Sequence, residues 1–192
     1  MVLLNQAGAY RLMGDHEKAL ATFTRARTLL ERNETTPPAT LAALDNNIGL
    51  VYMDLGRPAE AEALFRRALT QLDDAHQTEL GTTWCDLAAA QQAQGRLEEA
   101  LASADRAEQA FLRADGGTGS HFAAIKDLRG VLLYRQGRYD EALACFADAV
   151  ERVERVYGHN GEYADGCRNC AACCERLGRE EEALRWREKA KA

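Results

Sequence analysis

Apolar residues recur along this chain in short stripes of helical spacing, and each pair of stripes is separated by a single glycine. One stripe runs through Leu44, Ile48, Val51, Tyr52 and Leu55; beyond Gly56 a second takes up at Ala61, Leu64, Phe65, Ala68, Leu69 and Leu72. Steps of three and four on both sides of the break predict two amphipathic helices joined by a tight turn. The unit repeats. AYRLMGDHEKALATFTRA, VYMDLGRPAEAEALFRRA, AQQAQGRLEEALASADRA, VLLYRQGRYDEALACFADA and CCERLGREEEALRWREKA each place an alanine five residues after the glycine and another seven residues later. The glycines are Gly14, Gly56, Gly95, Gly137 and Gly178, which sets steps of 42, 39, 42 and 41 residues. The pattern predicts a single all-α domain over 1–192, built of about five helical hairpins at roughly 1–33, 39–75, 78–114, 120–157 and 161–192.

The residues around each break fit that reading. Glycine suits the left-handed backbone that ends a helix, and the acidic residues just beyond it suit the positive N-terminus of the next. Glu17, Glu60, Glu98, Glu99, Asp140, Glu141 and Glu180 to Glu182 stand in those places. Pro37 and Pro38 in TTPPA read as a connector that stops one helix and starts another.

Composition narrows the function classes. Abundant Ala, Leu, Glu, Arg and Gln with three prolines favour helix, and 46% hydrophobic residues in 192 supply a sizeable core. A net charge of −6 and the absence of a Lys/Arg run argue against nucleic acid as a partner. No segment approaches the roughly 20 apolar residues of a membrane span, and the opening MVLLNQAGAYRLMG lacks a basic leader, so the expectation is no membrane and a cytoplasmic location. Six cysteines inside helical patterns are expected to be reduced thiols.

On these residues the chain resembles the tetratricopeptide repeat. In the second unit Ile48, Gly49, Tyr52, Gly56, Ala61, Phe65 and Ala68 match the repeat's pattern; the first supplies Ala7, Tyr10, Gly14, Ala19, Phe23 and Ala26, and the fourth Gly130, Gly137, Ala142, Phe146 and Ala149. A period near forty is similar to the longer-helix variety of kinesin light chains. Gln91 and Ala104 in the third unit and Arg129 in the fourth depart from the pattern. The resemblance implies a right-handed α-solenoid whose first helices line a concave groove. Projected on that face are Asn5, Arg11, Asn46, Asn47, Leu50, Met53, Cys85, Asp86, Ala89, Gln92, Asp127, Val131, Tyr134, Arg135, Asp165, Arg168, Asn169 and Glu175. Asn5, Asn47 and Asn169 share one repeat position, where the resemblance implies amides that hold ligand backbone.

The remaining chemistry is sparse. CRNCAACCERLG puts Cys167, Cys170, Cys173 and Cys174 into eight positions, a density that raises thiolate ligation. At about 100° per residue, however, Cys167, Cys170 and Cys174 form one stripe and Cys173 points elsewhere, so core packing is the reading preferred over a metal or redox site. His16, His76, His121 and His159 lie at turns and helix ends with no nucleophile pattern. DGGTGS, residues 115–120, lacks the lysine of a phosphate loop and reads as a linker. Trp84 is assigned to the core. Arg187 replaces the large apolar residue of earlier units, so the final helix is expected to be solvated, whereas the outer face of the first hairpin is expected to be partly apolar.

These readings imply a protein-interaction module that takes a peptide or partner helix in its groove, with no catalytic residues, cofactor or metal. Two alternatives accompany it: a self-assembling element, with homo-oligomers formed through the N-terminal hairpin, and a peptide-sensing fragment of a larger signalling protein.

Overall fold

The computed structural model describes residues 2–117 and 121–191; part of the DGGTGS segment and the start of the fourth expected hairpin, 118–120, lie outside them. The described residues form ten α-helices and no strand: α1 (Val2–Leu12), α2 (His16–Glu31), α3 (Pro38–Asp54), α4 (Pro58–Gln71), α5 (Gln77–Ala93), α6 (Leu97–Asp115), α7 (His121–Arg135), α8 (Tyr139–Tyr157), α9 (Gly161–Arg176) and α10 (Glu180–Lys189). α1 packs against α2, α3 against α4, α7 against α8 and α9 against α10, and Ser103 of α6 bonds Gln91 of α5, so the helices pair in chain order. The chain divides into two compact units, residues 1–110 and 111–192.

The repeated glycine explains the turns. Gly14, Gly56, Gly95, Gly137 and Gly178 all have φ between 68° and 78°, a conformation that other residues adopt only at a cost. In each turn the glycine N–H donates three residues back and the next N–H donates five back, as in Gly56 to Met53 and Arg57 to Tyr52. This pairing satisfies carbonyls left over at the helix end. Beyond the glycine an arginine meets a glutamate three residues on: Arg57 with Glu60, Arg96 with Glu99, Arg138 with Glu141 and Arg179 with Glu182. The carboxylates thereby sit over the helix N-terminus, where its dipole favours them.

In the first unit Ala7, Ala19, Phe23, Leu44, Ile48 and Val51 form one core cluster, and Ala61, Phe65, Leu87 and Ala90 another. Small residues mark the closest helix approach. A Cβ placed on Gly49 would collide with the Phe65 ring. Two buried carboxylates tie helices together. Asp45 of α3 accepts from Arg27 of α2 and from Arg67 and Gln71 of α4, and Glu62 of α4 accepts from Arg66, Gln94 and Arg96. The departure at Gln91 has a polar solution: buried Ser103 Oγ donates to its side-chain oxygen at 2.7 Å, bridging α5 and α6.

In the second unit a Cβ on Gly130 would lie 2.6 Å from Phe146, and one on Gly166 would lie 2.5 Å from Val150. These glycines let α8 lie close under both α7 and α9. Cys167, Cys170, Cys173 and Cys174 are all fully buried, including Cys173, which the helical projection turned away from the stripe. The reason is that α9 packs against α8 on one side and α10 on the other, so burial extends around more of the helix than a single stripe.

Candidate partner-binding face

The projected groove residues lie on the first helices of the hairpins, and each unit brings some of them together. In the first unit Arg11 of α1 donates to Asp54 of α3 at 2.6 Å, and Asn46 Nδ2 of α3 donates to Asp86 Oδ2 of α5 at 2.8 Å. Asp86 is half-buried, and loss of solvation pushes its carboxyl up to about 6, against the smaller opposing effects of the Asn46 hydrogen bond and the Arg11 charge. The side-chain oxygen of Asn46 is buried with no hydrogen-bond partner among the described residues. Leu50 and Met53 pack half-buried against the Phe65 and Leu87 cluster, as does Trp84, over whose ring the Arg106 guanidinium lies at 4.7 Å. Gln92 is half-buried.

The three asparagines of one repeat position behave differently. Asn5 is exposed, Asn47 donates to the Ala43 carbonyl of its own helix at 2.7 Å, and Asn169 donates to Asp127 at 3.2 Å. Two of the three amides thus already have a partner within the chain. The Asn46–Asp86 and Asn169–Asp127 bonds join the same two repeat positions on successive first helices, with donor and acceptor exchanged.

In the second unit α7 and α9 flank a cleft of about 740 Å³, within the range of ligand sites. Asp127 stands on one wall and Glu162, Asp165 and Asn169 on the other, and Ala149, Val150 and Val153 of α8 form the floor. Burial, followed by the charges of Asp165 and Glu162, raises the Asp127 carboxyl above its ordinary range, and the Asn169 hydrogen bond offsets this only in part. Arg168 pairs with Asp165 but does not line the cleft. Further along the face Tyr134 meets Tyr139 edge-on at 5.1 Å, and Arg176 donates to the Tyr139 hydroxyl at 2.6 Å. Arg135 is exposed. The α8 floor and Glu162 were not in the sequence projection, which considered first helices at fixed repeat positions; Gly166, which lets α8 come close under α9, was the available signal.

The other candidates resolve into local structure. Burial raises the Cys167, Cys170, Cys173 and Cys174 thiols, Cys173 to about 11, which disfavours the thiolate needed for ligation or nucleophilic attack. Among the described residues no group of three or more His, Cys, Asp or Glu is arranged to hold a metal ion. His76 pairs with Asp73, His121 stacks on Phe111, and His159 contacts Glu154 and stacks on Tyr163. Arg187 is exposed and pairs with Glu175. No helix of the described residues is long and apolar enough to cross a membrane.

A tetratricopeptide-repeat family model matches residues 40–113 and 122–192, and a second model of the same repeat matches 2–36. The chain belongs to the tetratricopeptide-repeat family. No curated protein matches it. Among solved structures, BtubC (BKLC) from P. vanneervenii is similar at a TM-score of 0.87 and 20% identity, over 96% of this chain and 75% of that one. A kinesin-light-chain-type protein of nearly identical TPR-like repeats from Podosopora anserina is similar at 0.82 and 16% identity, over 99% and 92%. YrrB, described as a TPR protein with an unusual peptide-binding site, is similar at 0.65 and 22% identity, over 98% and 82%. These likenesses are of fold, and they agree with the α-solenoid and long-repeat reading of this tetratricopeptide-repeat chain.

Proposed function

We propose that this chain is a non-catalytic protein-interaction scaffold that takes a peptide or partner helix along the face formed by its first helices, and that it works in the cytoplasm. The observation that carries this reading is that tetratricopeptide repeats account for nearly the whole chain. A fold shared with YrrB, whose peptide-binding site is recorded, adds support. The net charge of −6 without a basic patch favours protein over nucleic acid as ligand. Asn5, Asn47, Gln92 and Asn169 supply amides that both donate and accept, so they suit peptide backbone of varied sequence. The test is a peptide selected from a random display library, titrated against wild type and against Asn47→Ala with Asn169→Ala. Affinity is expected to fall by roughly 1–3 kcal/mol; unchanged affinity in the folded double variant contradicts the assignment.

A second reading, self-association through the first hairpin, is favoured by the exposure of Leu12, Met13 and Leu29 there. Light scattering over a dilution series tests it: a dimer that dissociates on dilution and is abolished by Leu12→Asp supports it, and a monomer at every concentration contradicts it.

A further inference from the structure

The cleft of the second unit differs in kind from the mixed surface of the first. Its floor is apolar, made by Ala149, Val150 and Val153, and its walls carry Asp127, Glu162 and Asp165, with no lysine or arginine among the lining residues. Gly166 lies directly over Val150, where any larger residue would fill the space between floor and wall. An apolar base repays the burial of aliphatic side chains, whereas carboxylates on both walls repel anions and attract cations. Lys and Arg unite both properties, since their methylene stems lie on apolar surface and their charged ends reach polar groups.

We propose that this cleft receives a basic segment of a protein partner, with Lys or Arg side chains lying over the α8 floor and their charged ends between Asp127 and the Glu162 and Asp165 pair. The inference rests on the scaffold reading above and names the chemical class of the partner. Asp127 is the centre of the site. It is half-buried, it accepts a hydrogen bond from neutral Asn169, and burial together with the neighbouring carboxylates raises its proton affinity. A cation placed there meets the carboxylates of Asp127 and Glu162, while Arg168 engages Asp165 from outside the cleft, so the net negative walls favour a basic occupant over an acidic or neutral one.

The experiment uses the full chain and a fluorescein-labelled peptide that alternates Lys with Val and Ala, its Glu-for-Lys counterpart, and spermine as competitor. The basic peptide is expected to bind with an affinity that falls with added salt, and Asp127→Asn with Asp165→Asn is expected to weaken it about tenfold or more. A control variant, Glu180→Gln with Glu181→Gln, removes the same charge from α10 outside the cleft and is expected to change affinity by less than about twofold. Thermal melting of both variants checks that they fold. Equal weakening in cleft and control variants overturns the proposal, because the attraction is then to net charge alone. Full displacement of the peptide by spermine at matched charge, with no contribution from Val and Ala, overturns it as well. Preference for the Glu peptide at this cleft rejects the basic class but leaves the scaffold reading intact, whereas failure of every library-selected peptide to bind rejects that reading too.

Discussion

At the scale of single residues, the fold depends on where side chains are missing. Gly130 faces Phe146 with room for no Cβ, and Gly49 stands in the same relation to Phe65. Gly49→Ala is therefore expected to destabilise the first unit by about 1–3 kcal/mol, as overpacked cores do, in chemical denaturation. Combining it with Phe65→Leu should recover part of the loss, and a stabilising Gly49→Ala would show that helix propensity outweighs the clash. The cysteines are the second residue-scale case. Burial raises all four α9 thiols, so at pH 8 they should alkylate only as fast as the second unit opens, whereas in denaturant all should react at once. Mass spectrometry after a pulse of iodoacetamide reads this, and rapid native labelling of Cys170 would contradict it. The sequence alone placed three of these cysteines in the core by their helical stripe. It could not place Cys173, whose burial depends on α10 as well as α8 packing against α9.

At the scale of elements, polar residues act as rivets between helices. Asp45 is nearly fully buried and takes hydrogen bonds from Arg27, Arg67 and Gln71, so it joins three helices. Asp45→Ala should cost about 3 kcal/mol, the low end for a broken buried pair because both arginines reach solvent. Asp86 acts in the opposite sense. Its folded carboxyl titrates at about 6, above the ordinary value near 4, so between these values the folded chain holds a proton that the unfolded chain has released. This contribution is present below about pH 4 and is lost as the pH rises through about 6. Asp86→Asn, which can still accept from Asn46, should therefore stabilise the protein by about 2 kcal/mol at pH 7.5 and by little at pH 4, in thermal melts at both values. The hairpins themselves were legible because each glycine turn recurs with its alanines in register. The rivets were not, because a buried aspartate such as Asp45 and an exposed one look alike until the facing helices are known; Gln91 stood only as a departure from the repeat pattern, where the structure supplies a Gln91–Ser103 hydrogen bond.

At the scale of the whole molecule, each unit carries a face of first helices that we propose meets a partner, although several of its polar residues already bond within the chain. That face was only partly legible. The projection found Asp127, Asp165 and Asn169, but it missed Val150 and Val153 because they belong to a second helix that shows in the gap between two first helices. It also read Asn47 as an available amide, although Asn47 bonds within its own helix in the unliganded chain, so a ligand must displace the Ala43 carbonyl to use it. The central claim is that partners are held on this face rather than on the outer one. Hydrogen–deuterium exchange on the full chain, with and without a peptide selected from a display library, tests it most directly. The account predicts that protection on binding concentrates in α3, α5, α7 and α9; protection confined to α2, α4, α6 and α10 would contradict it.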